Sequence, residues 1–542
     1  MRSLSVKKII SAILMIGLFF MQANAAAPFA GYEYSTDNYN GLIVSKRDIA
    51  NAKPAPAAFV FDDALNSGRL NLDVPLNAPE DFVCDDNGNV YILDTLNGRI
   101  VIVDKSLSKT LCIIRGWMPG GAENTRFTGG RGIYQVDGRL YVSLTQDKKI
   151  VSFVIPLFIR NSSEFEPEDG VELVSGEHGK PLVIDVTADR IVESPDLSAI
   201  RDTFDFKPTK LAADSAGRLY VVVEGIFDGL MMIDSSNAFT GFVGANRIKI
   251  SAIDLLWRRL STDAQIEAQE DTVPIEFNSL DMDEEGFLYT TSKGNENENL
   301  VRRLNLIGND VLKQGTWFIK GELSALVRQG VPGSTSHLID IDVTEGGIYT
   351  CLDNIRGKLF TYNSEGDLLF AFGGISAQRG AFRVPAAVEW NNGKILVLDK
   401  GNNELVIFRP TEYGQAVIAA THTQYTGGYG ESWDQWNKVL ILNPHNQAAN
   451  RNVGKLQYDK GEYYKAMQHF RLGNSPELYS QAYAKYRKIK AEKVIPWIAG
   501  GLILAFAVWV ILKTVRFVRQ SHERWVFFKE EARKYKERNS RK

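Results

Sequence analysis

A short hairpin phrase recurs six times before residue 400, and it restricts the fold more than any other feature of the sequence. In each copy a glycine lies just before an apolar residue that is usually followed by Tyr, as in DDNGNVYILD. The flanking runs alternate apolar and polar residues, which is typical of half-buried strands. Glycine at this place supplies the positive φ of a tight turn between antiparallel strands. The six glycines are Gly88, Gly138, Gly217, Gly286, Gly346 and Gly393.

The spacing of these glycines predicts how the hairpins are assembled. Successive glycines are separated by 50, 79, 69, 60 and 47 residues, which leaves room for four short strands in each unit. Six such antiparallel units predict a β-propeller, because radial closure covers each sheet with its neighbours and needs no packed helix. The uneven spacing predicts long insertions around 158–202 and 234–272. A solenoid or a sandwich is the alternative reading of the same pattern.

The first and last units resemble NHL repeats. Residues 78–104 (APEDFVCDDNGNVYILDTLNGRIVIVD) contain the Pro, Asp-x-x-Gly-x-hydrophobic-Tyr and Asp-x-x-Asn-x-Arg elements in register. The last unit, residues 384–408, is similar but has Leu405 where the family usually has Ile after Arg, and the middle units lose most of the Asn/Arg signature. The resemblance implies a six-bladed propeller, which we assign to 26–410. It also implies that AAFVFDD, at 57–63, supplies the outer strand that closes the last blade.

A second repeat, 34 residues long, follows the propeller and resembles the tetratricopeptide (TPR) repeat. Small residues at two positions would let paired helices approach closely, and aromatic residues would fill the remaining space. Asn450 and Gly473 depart from the family pattern. We expect TPR-like repeats over 411–493, acting either as a stalk or as a peptide-binding groove. The matching residues are Val453, Gly454, Gly461, Tyr463, Ala466 and Phe470 in the second repeat, and Ala420, Gly427, Tyr429, Ser432 and Trp436 in the first.

The two ends of the chain predict its location. Three basic residues precede the apolar run 9–21, and Ala-Asn-Ala follows at 23–25, which predicts a secretory signal peptide over 1–25. An uncleaved anchor is the alternative. Residues 494–512 form a run of nineteen residues without a charge. As a helix this run is about 28 Å long, enough to cross the hydrocarbon core, so we predict one transmembrane helix.

Topology follows from the signal peptide, because Lys and Arg are almost equally frequent on both sides of the span. We expect a single-pass plasma membrane protein with an extracytoplasmic propeller and a basic cytoplasmic tail at 513–542. The tail is either a helix on the anionic leaflet or simply solvated. The fold class is therefore mainly β: a six-bladed NHL-type β-propeller, a short α-helical TPR-like neck and one transmembrane helix.

Charge and cysteine content exclude several classes of protein. The whole chain carries a net charge of −3, with +3 in residues 1–25 and +7 in 513–542, so residues 26–512 sum to −13 (−3 − 3 − 7). A body this acidic is a poor partner for nucleic acid. The three cysteines do not form a CxxC motif or a disulfide scaffold.

The sequence contains no pattern that predicts catalysis. It lacks GxSxG, HExxH, P-loop and dinucleotide-binding motifs, and His178 and His337 are the only histidines in the propeller region. We therefore predict no catalytic residue, no cofactor and no metal ligand. Asp85, Asp214 and Asp283 recur at one repeat position, which indicates turn chemistry. Asp94, Asp353 and Asp399 likewise recur after the second strand, and we expect them to have a structural role.

The loop that enters each innermost strand is the best candidate for binding. In NHL-type blades this loop opens on one mouth of the central channel. Counting back eight residues from each turn glycine reaches a comparable position, with allowance for a shortened second blade, an extended fifth and a sixth offset by one. Arg131 would contact an anionic group and Glu80 a cation or hydroxyl. Solvated loop positions are the alternative interpretation. The candidates are Glu80, Arg131, Thr209, Asn278 and His337, with the apolar Ala386 in the sixth blade.

The resemblance to NHL propellers, which often serve as interaction modules, favours a non-enzymatic function. We expect a membrane-anchored extracytoplasmic binding or scaffold protein whose propeller recognises a protein partner or a small-molecule or carbohydrate ligand. It could act as an accessory or sensor subunit of a membrane complex, such as a transport complex. The alternative is a metal-dependent enzyme similar to the propeller lactonases or lyases.

Overall fold

The computed structural model describes residues 34–35, 54–119, 124–161, 171–175, 180–196, 204–244, 276–292, 300–312, 320–321 and 336–539. The predicted signal peptide lies outside these residues. The chain forms two compact units. One ends at Val453 and also includes Arg471–Ser475, and the other consists of Gly454–Phe470 and Pro476–Lys542.

Within the described residues, the strands of the first unit form six antiparallel blades, numbered here in chain order. From the innermost strand outward, blade 1 consists of Asp81–Cys84, Val90–Asp94, Arg99–Val103 and Thr110–Pro119, and blade 2 of Gly130–Val136, Arg139–Leu144, Lys149–Val154 and Arg190–Val192. Blade 3 consists of Pro208–Ala213, Leu219–Val223, Leu230–Ile233 and Phe239–Val243, and blade 4 of Phe277–Met282, Leu288–Ser292 and Val301–Leu304. Blade 5 consists of Leu338–Thr344, Ile348–Asp353, Lys358–Tyr362 and Leu368–Phe372, and blade 6 of Pro385–Asn391, Lys394–Asp399, Glu404–Pro410 and Phe59–Asn66.

The innermost strands contact one another in a closed ring, from blade 1 through blade 6 and back to blade 1. This closure makes the domain a six-bladed β-propeller and confirms the predicted fold class. The core lies between the blades, where apolar residues of facing sheets pack together, as Phe59, Phe372 and Phe408 do around blades 5 and 6.

Blade 6 is completed by the N-terminal strand. Phe59–Asn66 pairs antiparallel with Glu404–Pro410, from Phe59 opposite Pro410 to Asn66 opposite Glu404. The predicted closing strand at 57–63 is therefore confirmed, although it extends three residues further. This pairing joins the two ends of the propeller by backbone hydrogen bonds and covers the outer edge of Glu404–Pro410, which would otherwise be free to pair with another chain.

The insertion predicted after the third strand of blade 2 adds strands to the sheet of blade 1. It begins with the short helix α1 (Leu157–Asn161) and contains the strands Val171–Ser175 and Leu182–Ala188. Leu182–Ala188 pairs in parallel with Thr110–Pro119, the outer strand of blade 1, so that blade 1 becomes a six-stranded sheet. A further two-residue bridge pairs Tyr34–Ser35 with Pro54–Ala55.

The recurrent aspartates fold the hairpin turns as predicted. One carboxylate oxygen of Asp85 accepts hydrogen bonds from the backbone N–H groups of Asn87 (3.0 Å) and Asn89 (2.8 Å). Asp214 and Asp283 bind the equivalent N–H groups of their own turns. Gly88 follows with φ of 88°, a conformation that glycine adopts without strain. These carboxylates serve local turn structure.

Helices follow the propeller at the predicted repeat. They are α2 (Glu412–Tyr425), α3 (Tyr429–Leu442), α4 (Gln447–Asp459), α5 (Tyr463–Leu472) and α6 (Pro476–Asn539). The first hairpin is packed onto blade 6: a Cβ at Gly414 of α2 would lie 2.1 Å from the carbonyl oxygen of Ala58. Since only a glycine permits this approach, α2 is held directly against the closing strand of the propeller.

Helix α6 contains the predicted span. It is 64 residues long, and among the described residues it is the one helix that is long and apolar enough to cross a membrane. Its apolar side chains between 494 and 512 are exposed, as lipid-facing residues must be. The Lys513 ammonium lies 4.7 Å from the Trp509 ring, where an aromatic residue and a cation mark a membrane interface. These features fit a single-pass anchored protein.

Ala466 provides a test of the second helical hairpin. Its side chain is fully buried beside Met467, Phe470 and Ala482, so an indole has no room there. We expect Ala466→Trp to destabilise this unit by about 1–3 kcal/mol. Thermal unfolding of the full-length protein in detergent, followed by circular dichroism at helical wavelengths, measures the effect. Trp at the neighbouring exposed Gln468 is the control, and equal melting of the two variants would contradict the packing.

Candidate binding site at the channel mouth

One mouth of the central channel forms an open pocket of about 470 Å³. Each innermost strand starts at this end, so the loop that enters the strand and the turn between the second and third strands both border the opening. The lining comes from all six blades. Its residues are Glu80, Arg131, Thr209, Lys210, Val222, Glu224, Glu276, Phe277, Asn278, Ile339, Asn354, Val384, Pro385, Ala386 and Lys400.

Four of the five predicted polar residues line this pocket. Glu80, Arg131, Thr209 and Asn278 lie on blades 1 to 4, one on each, and Ala386 occupies the same position on blade 6. The positions reached by counting back from the turn glycines therefore lie together at the pocket, although Glu80 and Ala386 are about 300 positions apart in the sequence.

The prediction for blade 5 was wrong by two residues. Ile339, not His337, occupies the lining position, and His337 lies behind it with Nδ1 3.0 Å from the Oδ1 atom of Asn354. The prediction assumed an extended first hairpin in this blade. In the structure this hairpin has the same length as that of blade 4, since Asp340 pairs with Leu352 as Ser279 pairs with Thr291. The residue equivalent to Gly286 is Gly347, so the count from Gly346 started one residue too early and the assumed extension added the second residue of error.

Ion pairs between side chains occupy the walls of the pocket. The Lys400 ammonium of blade 6 lies 3.1 Å from the Glu80 carboxylate of blade 1. Arg131 of blade 2 lies 3.3 Å from Glu224 of blade 3, and the side chains of both are about half exposed. Glu276 of blade 4 accepts a hydrogen bond from the backbone N–H of Gly225 at 2.7 Å. Charged groups therefore follow the mouth from blade 6 round to blade 4.

The floor of the pocket is a lysine held between two aspartates. Lys210 Nζ donates to Asp81 Oδ1 at 2.6 Å and to Asp340 Oδ1 at 3.0 Å, which links blade 3 to blades 1 and 5 across the channel. Burial favours the neutral amine, but the two carboxylates outweigh it and raise the pKa of Lys210 above its ordinary value. Burial raises the pKa of Asp81 to about 7, opposed by the charge of Lys210.

The floor aspartates also join adjacent blades through the backbone. Asp81 Oδ2 accepts the N–H of Ile133 at 2.9 Å, so that blade 1 holds the innermost strand of blade 2. Asp340 Oδ2 accepts the N–H of Val388 at 2.8 Å, and blade 5 holds blade 6 in the same way. Each carboxylate thus serves both the lysine and the next strand.

Sequence reasoning missed the lysine and both floor aspartates, although a signal was present. Asp81 directly follows the predicted Glu80, Lys210 directly follows the predicted Thr209, and Asp340 follows Ile339, the residue that lines the pocket in blade 5. Adjacent strand residues point to opposite sides of a flat sheet. A β-bulge at the start of the innermost strand breaks this alternation, as between Pro208 and Leu211, so both residues can face the channel.

The aspartates at the ends of the second strands hold the mouth loops, as expected for structural residues. Asp94 accepts the backbone N–H of Asn77 at 2.8 Å, and Asp399 accepts that of Val384 at 2.9 Å. Asp353 accepts the Ser336 hydroxyl at 2.7 Å. All three carboxylates are fully buried. They fix the loops that carry the residues of the pocket lining.

A second acidic layer lies further along the innermost strands, on blades 4 to 6. Asp281 accepts the N–H of Val343 at 2.8 Å, and Asp342 accepts that of Trp390 at 2.5 Å. Burial raises the pKa of Asp281 to about 6. Burial and the neighbouring Asp281 charge raise the pKa of Asp342 well above its usual range, and burial and Asp342 do the same for Glu389. Burial therefore shifts the carboxyl groups of this layer towards the protonated form.

Metal binding has no candidate in the part of the chain that the structure describes: no group of three or more His, Cys, Asp or Glu side chains there is arranged to hold an ion. The described cysteines are Cys84, half-buried, and Cys112 and Cys351, both buried; all three are free thiols. Burial raises the pKa of each thiol, which keeps it in the unreactive protonated form.

Comparison by sequence identifies no relative. No protein-family profile matches the chain. No curated protein sequence matches it either.

Comparison by structure finds other propellers at low identity. Virginiamycin B lyase from Staphylococcus aureus is 12% identical over 65% of this chain and 100% of its own, with a TM-score of 0.36. The allergen Mala s 1 of Malassezia sympodialis is 11% identical over 64% of this chain and 96% of its own, with a TM-score of 0.40. The extracellular domain of a proposed one-component system from B. thetaiotaomicron is 12% identical over 61% of this chain but only 33% of its own, with a TM-score of 0.31. These likenesses carry no information about ligand or activity.

The second acidic layer predicts how stability depends on pH. Between the ordinary carboxyl pKa and the raised pKa of these buried groups, the folded protein binds protons that the unfolded chain has released. The free energy of unfolding therefore decreases as the pH rises through this range. Asp342→Asn keeps the acceptor for Trp390 and removes one such group. We expect the variant to melt about 2 °C or more above the wild type at pH 8, with a smaller difference at pH 5. Asn at the exposed Asp147 is the control, and parallel pH profiles for Asp342→Asn and wild type would contradict the prediction.

Proposed function

We propose that this chain is a membrane-anchored binding protein whose propeller recognises a ligand or protein partner at the channel-mouth pocket. The observation that carries the proposal is the lining, to which all six blades contribute and in which charged and amide side chains predominate. A concave site with a few convergent polar groups is typical of ligand recognition. The rigid innermost strands keep these groups in place before binding, which lowers the entropy lost on association.

In the ion pairs of the pocket walls, a charged group of a ligand can take the place of one partner. The side chains of Glu80 and Lys400 are about one-third exposed, and those of Arg131 and Glu224 about half exposed. Exposed pairs of this kind contribute about 0–1 kcal/mol, so a ligand group can replace one partner at low cost. The buried Lys210 pairs beneath them keep the floor fixed while the walls rearrange.

The membrane topology belongs to the same proposal. The predicted signal peptide exports the propeller, α6 crosses the plasma membrane once, and the basic tail remains in the cytoplasm. The NHL and TPR resemblances support a role in interaction, such as that of an accessory or sensor subunit of a membrane complex, for example in transport. No observation on the described residues favours the metal-dependent lactonase-like or lyase-like enzyme, and we do not propose it.

Introduced cysteines test the topology. We expect a cysteine at the exposed Ser236, in the propeller, to react with a membrane-impermeant maleimide in intact cells. A cysteine at Glu531, in the tail, should react only after the membrane is permeabilised. The parent protein, with its three native cysteines, is the background control. Protection of position 236 in intact cells would contradict the proposed orientation.

A photocrosslinker tests the pocket. Arg131 and Val154 both lie on blade 2, and their side chains are similarly exposed, but Val154 lies at the face opposite the mouth. We expect benzoylphenylalanine at position 131 to yield an adduct when membranes of the native host are irradiated, and the same residue at position 154 to yield none. Mass spectrometry of the purified protein detects either a small ligand or a partner peptide. Equal adducts at both positions, or none at position 131, would contradict binding at the mouth.

A further inference from the structure

Exposed aliphatic side chains border one side of the mouth pocket. Among the described residues of the mouth face, five large aliphatic side chains are 39–61% exposed, although such residues are usually buried. All five lie in loops that enter an innermost strand or in turns between second and third strands. We call these residues the apolar arc: Val74, Leu96, Ile355, Ile375 and Val384.

The residues of the arc lie on three adjacent blades, 5, 6 and 1. On blade 5, Ile375 lies against the turn that contains Ile355, because a Cβ at Gly357 of that turn would lie 2.7 Å from Ile375 Cδ1. On blade 6, the backbone of Val384 is in similarly close contact with Gly401. On blade 1, the carbonyl of Val74 accepts a hydrogen bond from Arg99 at 2.5 Å, and Leu96 forms the turn just before that arginine.

The mouth face of blades 2 and 3 has a different character. The exposed residues of their second turns are polar or charged: Gln146 and Asp147 on blade 2, and Glu224 and Asp228 on blade 3. Among the described residues of the mouth, the exposed large aliphatic side chains therefore lie on blades 5, 6 and 1. A concentrated patch beside a polar pocket is typical of a protein–protein contact.

The pocket itself has an excess of negative charge. Its lining contains three acidic and three basic side chains, and the two floor aspartates raise the acidic groups to five. Glu80 and Glu224 are paired with basic residues of the walls, whereas Glu276 makes no ion pair with a described residue and is held by a backbone N–H. Glu276 is thus the carboxylate best placed to receive a cation from outside.

We propose that the mouth face docks a polypeptide segment that carries a Lys or Arg side chain between apolar residues. The basic side chain enters the pocket beside Glu276, and the flanking apolar residues cover the arc. A peptide can present both chemistries at neighbouring side chains, which matches a charged pocket with an adjoining aliphatic surface. This inference rests on the proposed function and names the class of partner for the same pocket.

A peptide-display library tests the inference without knowledge of the natural partner. The full-length protein in detergent micelles is presented with random linear peptides of twelve residues, and bound clones are sequenced after each round. We expect the enriched peptides to contain a Lys or Arg flanked by aliphatic or aromatic residues. Enrichment of acidic peptides, or of peptides without this pattern, would overturn the inference.

Matched variants locate the binding surface. Leu96→Ser with Ile355→Ser removes apolar surface from the arc, and Glu276→Gln removes the unpaired carboxylate. We expect each to weaken binding of a selected peptide about tenfold or more. Leu306→Ser with Ile307→Ser is the control, because these side chains are 61% and 80% exposed at a blade 4 turn on the opposite face. The control should bind like the wild type.

The outcomes separate the inference from the proposed function. If arc and pocket variants bind the selected peptide normally, or if the arc variant only converts a dimer into a monomer, the inference is overturned. If no peptide is enriched but Arg131-position crosslinking still yields a small-molecule adduct, the inference fails while the proposed function stands. If neither peptide nor adduct is obtained, both are overturned.

Discussion

The propeller depends on a charge network in its channel, centred on the Lys210 ammonium between Asp81 and Asp340. A buried lysine is tolerable only when carboxylates compensate its lost hydration, and these two carboxylates also accept backbone N–H groups of neighbouring blades. Blades 1, 3 and 5 are thereby joined across the axis, while blades 2 and 6 are joined to the floor through their innermost strands. The network lies at the floor of the pocket, between blades that contribute its walls.

The aspartate and glutamate side chains of the propeller fall into groups that differ in how deeply they are buried. Those of the turns and second-strand ends satisfy backbone N–H groups and hold loops in place, as Asp399 does for the loop that contains Val384. Those of the channel interior retain protons, because burial disfavours their charge. At the mouth, acidic side chains border the pocket, and Glu276 lies there without a basic partner among the described residues. The same residue type therefore has three roles that sequence composition does not distinguish.

Hairpin architecture was predictable because it depends on local rules. A glycine with positive φ, an Asx turn and alternating strands are each encoded within about ten residues, and six copies allow only a few closures. The lining position was predictable for Glu80, Arg131, Thr209 and Asn278, because their distance from the turn is set by strand length. It failed at His337, because the count started from Gly346, whereas Gly347 is the glycine equivalent to Gly286 of blade 4. One residue of register changes which side chain reaches the channel.

The sequence by itself determined the number of blades, the closing strand, the paired helices and the apolar span, since each follows from periodicity or length. The tertiary structure alone decided that Lys210 lies between Asp81 and Asp340, and that Leu96, Ile355 and Val384 border one side of the mouth. Lys210 is separated from Asp81 and Asp340 by 129 and 130 positions, and Leu96 from Ile355 by 259, so no local rule relates them. Contacts of this kind arise because circular closure brings the starts of all six innermost strands to one axis, so that chemistry dispersed along the chain converges at one mouth.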